Sequence, residues 1–181
     1  MGAIDSFKYK IIKNFLDEKE LEILFPYCKD RHYNNLTNFD MLQNNNGNTF
    51  FYKDPLIQTF LTRNKKLIEE QTSLELLETY SFWRCYTYGA ELKKHKDRPS
   101  CEISATVFVA SDKDKWPIFM GGTEVNLNPG DAVIYKGCDI EHWRETFEGD
   151  YHIQFFLHYV DKYGKYKDYK GDNIYENIPR G

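Results

Sequence analysis

The spacing of hydrophobic residues divides the chain into two parts that meet near residue 76. In the first part, apolar residues recur at helical intervals in two segments, one over about residues 14–29 and one that begins at Asp54-Pro55. Aspartate at the N-cap followed by proline at the first helical position is a strong start signal for the second helix. Residues 1–75 are therefore predicted to be a helical support for the rest of the chain.

A polar, asparagine-rich segment, residues 34–48, separates the two predicted helices and contains Gly47. Such a segment has too few apolar side chains to pack in a core, and it predicts a loop. A lid over a substrate site is one role open to this loop, but the sequence does not decide whether the loop is a lid, and the sequence of a lid does not name its ligand.

After residue 76 the apolar period becomes two, which is typical of strands with one buried face. The predicted strands are short and rich in aromatic and β-branched residues: 80–88, 101–110, 132–135 and 151–160. Turn signals separate them, and no helical segment lies between them. The pattern predicts a mainly β fold with N-terminal helices. The core, residues 76–160, is then an antiparallel barrel or a double-sheet jelly roll, followed by an irregular tail over 161–181.

Composition narrows the possible partners and the cellular location. The 181 residues are most simply a single domain, and a net charge of −4 with interspersed signs argues against nucleic acid or an anionic membrane as partner. No apolar stretch reaches the roughly 20 residues that span a bilayer, and the N-terminus lacks the layout of a signal peptide. Four widely spaced cysteines without a C-x-x-C pair give no support for a zinc ribbon and indicate reduced thiols. We expect a cytoplasmic protein.

The candidate chemistry lies in His95-Lys96-Asp97 and in His142, further along the chain. Two imidazoles and one carboxylate are the ligands of the facial triad that holds non-heme Fe(II) and leaves coordination positions open. On a strand, residues i and i+2 point to the same face, so His95 and Asp97 are predicted to reach one metal ion. A neighbouring strand that carries His142 would complete the site.

Four further segments accompany these residues in a fixed order. They are Tyr86-Thr87-Tyr88-Gly89 ahead of the H-x-D pair, Ala105-Thr106-Val107-Phe108, Gly121-Gly122-Thr123-Glu124, and Pro129-Gly130-Asp131-Ala132-Val133-Ile134-Tyr135 ahead of His142. In this order they resemble the Fe(II)- and 2-oxoglutarate-dependent dioxygenases, specifically the prolyl 4-hydroxylase-like branch. The resemblance covers about residues 80–160, and the last two residues of the third segment are swapped relative to that branch's G-G-x-T.

The resemblance implies a double-stranded β-helix, or jelly roll, with His95, Asp97 and His142 as the Fe(II) ligands. It implies 2-oxoglutarate and O2 as co-substrates, with succinate and CO2 released as a substrate C–H bond is hydroxylated. Asp97 itself favours hydroxylation, because halogenating relatives have a small residue in place of this carboxylate. The default substrate is a prolyl residue in a peptide or protein, followed by a free amino acid or another small molecule.

The 2-oxoglutarate site matches the family less well. In the family, a tyrosine of the approach strand and a Lys or Arg about ten residues after the distal histidine hold the C5 carboxylate. Tyr86 matches the tyrosine, but the second position falls on His152, whose charge at neutral pH is uncertain. This departure leaves the anchor of the C5 carboxylate open.

Two arginines are candidates for that anchor. Arg144 would share a strand face with His142, and its guanidinium suits bidentate binding of a carboxylate. We predict Arg144 as the anchor, with Tyr86 donating a hydroxyl bond and His152 as a neutral neighbour. Arg84, on the face of Tyr86, is the other candidate. The alternative for Arg144 is a surface salt bridge with Glu141 or Glu145. Thr106 is predicted to add a hydroxyl contact.

Two other functions stay open at this point. One is a cupin-type metal-binding jelly roll that does not use 2-oxoglutarate, although the H-x-H arrangement common in such proteins is absent. The other is a catalytically silent binding module, which the missing Lys or Arg at His152 keeps open. His158 lies in an apolar segment and is predicted to be a packed residue rather than a ligand.

Overall fold

The chain folds into two helices and ten strands in the part that the structure describes, residues 7–35 and 48–172 of a computed structural model. The helices are α1 (Glu18–Asn35) and α2 (Pro55–Thr72). The strands are β1 (Tyr9–Ile12), β2 (Thr49–Tyr52), β3 (Leu76–Tyr86), β4 (Leu92–His95), β5 (Ile103–Ser111), β6 (Ile118–Met120), β7 (Thr123–Val125), β8 (Ala132–Lys136), β9 (His142–Arg144) and β10 (His152–Asp161). Two single 3-10 turns lie at Pro99–Cys101 and Lys167–Tyr169.

Both helices begin at aspartate caps. Asp17 and Glu20 bond reciprocally, each side chain accepting from the other's backbone N–H at 2.8–2.9 Å, which forms a capping box ahead of α1. The Asp54 carboxylate accepts from the first amides of α2, and it also accepts from the hydroxyl of Tyr27 on α1 at 2.9 Å. The predicted start of α2 is therefore confirmed, and the same cap joins the two helices.

The strands form two antiparallel sheets, as the period-two pattern predicted. The large sheet has the order β1-β8-β5-β10-β3-β2, and the small sheet has the order β4-β9-β6-β7. The two sheets pack on each other through a cluster of buried side chains: Ile118, Met120, Val125, Val133, Tyr135 and Ile140. The result is a double-sheet core with the N-terminal helices packed outside it.

Residues 1–75 contribute more than the helices that were predicted. Strands β1 and β2 lie at the two edges of the large sheet, where β1 pairs with β8 and β2 pairs with β3. Each has only four residues, too few for a period to show in the sequence. The first helix also extends further than predicted, to Asn35. Residues 36–47 of the asparagine-rich loop lie outside the described residues, so its role as a lid stays open.

The large sheet is buried on both faces. One face packs on the helices through a cluster that includes Leu24, Ile57, Leu61, Ile68, Trp83, Phe155 and Leu157. The other face, which turns toward the small sheet, carries the alternate residues of each strand, including the polar residues His152, Gln154 and His158 of β10. Polar groups on an otherwise buried face mark this side as the place to look for a functional site.

No helix in the described part of the chain is long and apolar enough to cross a membrane. All four cysteines are free thiols: Cys28, Cys85, Cys101 and Cys138. Of the predicted irregular tail, residues 162–172 are described and contain the second 3-10 turn; the remainder lies outside the described range.

Candidate active site

His95 and His142 face each other across two paired strands. Strand β4 pairs antiparallel with β9, and His95 is directly opposite His142 in the register. The prediction that His142 lies on a neighbouring strand is confirmed. The expectation that His95 and Asp97 share one strand is wrong, because β4 ends at His95. Asp97 is instead held by its backbone N–H, which donates to the carbonyl of Gly137 at 2.8 Å.

The three predicted ligands converge despite this break in the strand. Oδ1 of Asp97 lies 3.5 Å from Nε2 of His95 and 3.4 Å from Nε2 of His142. One donor atom from each residue falls within 4.8 Å of the other two, which is the spacing that a shared metal ion requires. In the described residues this is the one group of three such side chains that fits a metal. Two nitrogens and one oxygen suit non-heme Fe(II).

Backbone carbonyls orient both imidazoles. Nδ1 of His95 lies 2.7 Å from the carbonyl of Lys93, and Nδ1 of His142 lies 3.0 Å from the carbonyl of Ile140. A carbonyl only accepts, so each Nδ1 carries the proton and donates it. The lone pair then lies on Nε2, the atom that faces Asp97, which is the tautomer that a metal ligand needs.

Asp97 is held as a carboxylate. Burial raises its pKa, but hydrogen bonds from the two imidazoles outweigh burial and bring the pKa well below its ordinary value. Each Nε2 donates such a bond when it carries a proton, and it offers its lone pair to a metal when it does not. The same hydrogen bond with Asp97 raises the pKa of His95. The ionised Asp97 carboxylate is thus stabilised by positive charge close to it. A divalent cation bound between the three donor atoms would supply that charge.

Two side chains that support Asp97 from behind, Ser104 and His158, were not identified in that role from the sequence. The hydroxyl of Ser104, on β5, lies 3.3 Å from Oδ2 of Asp97 and 2.9 Å from Nδ1 of His158. Burial lowers the pKa of His158 to about 4, so its ring is neutral at pH 7. If Nδ1 of His158 donates to Ser104, the hydroxyl proton is free to bond Asp97. His158 is packed, as predicted, and it also supports the ligand.

The triad opens into a cavity of about 300 Å³. Its wall contains the three ligands, the aromatic residues Tyr80, Phe82, Tyr86, Tyr135 and Phe156, and three cationic residues, Arg84, Lys96 and Arg98. Tyr135 packs edge-on against His142 with 4.9 Å between ring centroids. A small cavity with an apolar wall and a few polar groups has the character of a small-molecule site.

Arg144 lies inside the protein, not on its surface. Only 3% of it is exposed, and its guanidinium donates to the carbonyl of Trp116 and, at 2.8 Å, to the side-chain oxygen of Gln154. The alternative of a surface salt bridge with Glu141 or Glu145 is therefore wrong. No carboxylate pairs with Arg144 in the described residues, and its Nε has no hydrogen-bond partner there.

The charge of Arg144 persists despite this burial. Burial lowers its pKa to about 10, which leaves the guanidinium protonated at pH 7. A buried cation without a counter-ion is costly, and such a group is commonly found where a ligand supplies the missing charge. The space beside Arg144 and Trp116 is only about 10 Å³, so a ligand there would have to displace the Gln154 amide.

His152 is a neutral neighbour of Arg144 in this arrangement. Burial, and next to it the charge of Arg144, place the pKa of His152 well below its ordinary value. Its ring stacks on Phe108 with 4.6 Å between centroids, and its Nε2 lies 3.2 Å from the Gln154 oxygen. A neutral ring cannot provide the cation that the family has near this position.

Gln154 joins the predicted co-substrate residues to one another. Its amide nitrogen lies 3.5 Å from the hydroxyl of Tyr86, while its oxygen accepts from Arg144. Thr106, on β5, is fully buried and contacts the hydroxyl of Tyr135 at 3.4 Å rather than this group. Gln154 was missed in the sequence, although the period of two from His152 would have placed it on the same face.

No protein-family model matches the sequence, and no match was found among the curated proteins. Solved structures do match the fold. A prolyl-4-hydroxylase from Pseudomonas putida has a TM-score of 0.67 and 16% identity, covering 87% of this chain and 95% of that one. The viral collagen prolyl hydroxylase of Paramecium bursaria Chlorella virus-1, in complex with 2-oxoglutarate, has a TM-score of 0.63 and 12% identity over 87% and 98%.

A third similar structure is EctD from S. alaskensis with 2-oxoglutarate and 5-hydroxyectoine, with a TM-score of 0.70 and 12% identity over 88% of this chain and 74% of that one. At these identities the likeness establishes the fold. The two sheets, the helices outside them and the two histidines of the triad on paired strands agree with it. The chain has the jelly-roll fold of the Fe(II)- and 2-oxoglutarate-dependent oxygenases, as the resemblance in the sequence predicted.

Proposed function

We propose that the protein is an Fe(II)- and 2-oxoglutarate-dependent oxygenase that hydroxylates a C–H bond. The observation that carries the proposal is the triad, in which two Nε2 atoms and one carboxylate oxygen converge at the wall of a cavity. The fold shared with solved oxygenases supports it. In the proposed reaction one oxygen atom of O2 enters the product hydroxyl and the other enters succinate, as 2-oxoglutarate loses CO2.

Iron and 2-oxoglutarate would supply the oxidising chemistry, while the protein binds, orients and excludes water. His95, Asp97 and His142 would hold the metal on one face. The carbonyls behind the two imidazoles fix their tautomers, and Ser104 steadies the carboxylate. The aromatic side chains of the cavity wall would exclude water from the side of the metal that faces the cavity. Charge interactions are stronger in such a water-poor space.

Arg144 is the proposed anchor of the C5 carboxylate. It is a buried cation that lacks a counter-ion among the described residues, and an incoming carboxylate would provide one. In this structure the guanidinium of Arg144 bonds the Gln154 side chain, which would turn aside when the carboxylate binds. The hydroxyl of Tyr86, now in contact with the Gln154 amide, would then donate to the C5 carboxylate. His152 would line this site as a neutral ring. Thr106, which contacts the Tyr135 hydroxyl in this structure, would reach the co-substrate only by turning away from that hydroxyl.

For the substrate, we propose either a prolyl residue in a peptide or protein or a small molecule. Two of the similar structures are described as prolyl hydroxylases, which supports a prolyl residue in a peptide or protein. The complex of EctD contains the small molecule 5-hydroxyectoine, which supports a small-molecule substrate. We also propose a reducing, cytoplasmic location, which the four free cysteines support.

A thermal-shift experiment separates the proposed oxygenase from its two alternatives. We expect Mn(II) and N-oxalylglycine, a non-reactive mimic of 2-oxoglutarate, to raise Tm together by roughly 5–10 °C at saturating concentration, since a ligand at 100 times its Kd adds about 2.7 kcal/mol. Stabilisation by the metal alone would indicate a cupin-type protein. Stabilisation by neither would indicate a silent module.

Replacing His142 by Ala tests the triad itself. We expect loss of iron-dependent conversion of 2-oxoglutarate to succinate in a protein that stays folded by circular dichroism. His32→Ala is the matched control, because His32 is a buried histidine on α1 that bonds Thr49 instead of facing the metal. Full activity in His142→Ala would refute the triad, and His152 or His158 would be the next ligand to test.

A further inference from the structure

Arg84 places a positive charge in the wall of the metal cavity. It lies on β3 two residues before Tyr86, so both side chains point to the same face of the sheet. Its guanidinium sits over the Tyr86 ring, 4.5 Å from the centroid. Its Nε is buried without a hydrogen-bond partner, and no carboxylate pairs with it in the described residues.

The other charges of the cavity do not neutralise Arg84. Of the described residues that line the cavity, Asp97 is the single carboxylate, and it belongs to the triad. Arg98 is paired with Asp172, and Lys96 is exposed. A divalent metal at the triad would add two further positive charges. An arginine next to such a centre is costly unless an anion lies between them.

Under the proposed function, both carboxylates of 2-oxoglutarate already have partners. One would bind the metal and the other Arg144, which lies on the small sheet beside Trp116 and is not part of this cavity wall. Arg84 is then left without an anion when both co-substrate and metal are bound. The remaining molecule in the cavity is the substrate.

We propose that Arg84 binds a carboxylate of the substrate, and that the substrate is a small carboxylic acid with an apolar body. The inference rests on the proposed function and specifies its substrate. Phe82 and Phe156 line the cavity beside Arg84, with 5.8 Å between their ring centroids, and they provide an apolar surface next to the guanidinium. The cavity of about 300 Å³ is at the small end for ligand sites, and 2-oxoglutarate would fill the part of it beside the triad and Tyr86. The space that is left suits a metabolite better than a peptide.

The test compares matched carboxylic acids and amides, which differ in charge and hardly at all in shape. The pairs are L-proline and L-prolinamide, N-acetyl-L-proline and its amide, benzoate and benzamide, and 3-phenylpropanoate and its amide. Binding is measured by the relaxation that Mn(II) in the protein induces in the protons of each probe. We expect at least one acid to bind the complex of protein, Mn(II) and N-oxalylglycine about 10-fold or more tightly than its amide, the size of one charge-assisted hydrogen bond.

Arg84→Met should reduce this preference to about twofold or less, and Arg84→Lys should retain part of it. Arg63→Met is the matched control, because Arg63 lies on α2, pairs with Glu20 and is not part of the cavity wall. Circular dichroism confirms folding. Equal binding of acids and amides by the unsubstituted protein would overturn the proposal, and so would a preference that survives Arg84→Met, which would indicate acids bound to the metal alone.

Two further results separate this inference from the proposed function. If Arg84→Met weakens N-oxalylglycine itself about 10-fold or more, Arg84 anchors the co-substrate, which overturns the inference and leaves the oxygenase intact. If the unsubstituted protein binds neither Mn(II) nor N-oxalylglycine, the oxygenase fails. The acid–amide comparison is then read on the metal-free protein by saturation-transfer NMR, where a preference lost in Arg84→Met still supports an anion site at Arg84.

Discussion

Gly137 sets the position of the Asp97 carboxylate at the scale of a single residue. A Cβ atom at Gly137 would lie 2.4 Å from Oδ2 of Asp97 and 2.3 Å from the carbonyl of Cys101. Real Cβ atoms do not approach that closely, and one of these neighbours is backbone that cannot turn away. The absence of a side chain at Gly137 is thus a condition for the triad.

Gly137→Ala is therefore expected to weaken Mn(II) binding about 10-fold or more and to lower the free energy of unfolding by roughly 1–3 kcal/mol. Mn(II) affinity is measured by electron paramagnetic resonance and stability by urea unfolding. Gly89→Ala is the matched control. Gly89 has φ +81° and open space around it, so alanine strains the backbone there without touching the triad. Unchanged Mn(II) affinity in Gly137→Ala would contradict the steric argument.

Arg144 and His152 compete for one role, and their charges decide between them. We expect Arg144→Met to raise the Kd of N-oxalylglycine by about 10- to 100-fold, the effect of losing a charge-assisted hydrogen bond of roughly 1.5–3 kcal/mol. His152→Ala should do much less, because the pKa of His152 is held well below its ordinary value and its ring is neutral above pH 6.5. Isothermal titration from pH 6.5 to 8.5 measures both.

A histidine anchor would give the opposite pattern. His152→Ala would then be the damaging change, and the affinity of the unsubstituted protein would fall as the pH rises through about 7, near the ordinary pKa of histidine. That result would refute Arg144 as the anchor of the C5 carboxylate.

At the scale of an element, strand β10 contains a buried histidine, His158, that makes the free energy of unfolding depend on pH. His158 on its inner face has its pKa lowered to about 4 by burial, whereas an unfolded chain has a histidine pKa of about 6.5. The unfolded state therefore takes up a proton first as the pH falls. Stability from the neutral ring is complete above pH 6.5 and is lost as the pH falls toward 4, by up to about 3 kcal/mol.

His158→Gln removes this proton uptake. We expect the metal-free variant to be less stable than the unsubstituted protein at pH 7, with a difference that shrinks by roughly 2–3 kcal/mol between pH 7 and pH 4.5. Urea unfolding at a series of pH values measures the two curves. Subtracting them cancels the part of the triad's titration that does not depend on His158. A difference that stays constant over this range would show that His158 is not held neutral.

At the scale of the whole molecule, the helices and the sheet share one core. Leu24 of α1 and Ile57 and Leu61 of α2 belong to the same buried cluster as Trp83 and Phe155 of the large sheet. Strand β2 also completes an edge of that sheet beside β3. The jelly roll is thus not separable from the first third of the chain.

A fragment of residues 76–172 is therefore expected not to fold. It would expose the helix-facing side of the large sheet, and the lost burial of each large side chain costs about 1.5–3 kcal/mol against a total stability of about 5–15 kcal/mol. The dispersion of its amide NMR signals and its urea unfolding curve are the measurements. A cooperative transition in this fragment, comparable to that of the full chain, would show that residues 76–172 form an autonomous domain.

The sequence by itself determined what depends on neighbours along the chain. The period of two predicted the strands around residues 80–160, the Asp54-Pro55 signal predicted the start of α2, and motif order predicted His95, Asp97 and His142 as one group. These features follow from local geometry and side-chain chemistry. The short edge strands β1 and β2 escaped prediction because four residues give no readable period and their pairing is non-local.

Tertiary structure alone decided the features that depend on which distant residues pack around a side chain. It placed Arg144 in the interior, where no carboxylate of the described residues pairs with it. It also ended β4 before Asp97 and brought Ser104 and Gly137 to the Asp97 carboxylate. It left Arg84 in the cavity wall without a carboxylate partner among the described residues. Burial and the distance between charges set pKa values and ligand preference, and both arise only when segments far apart in sequence are packed together.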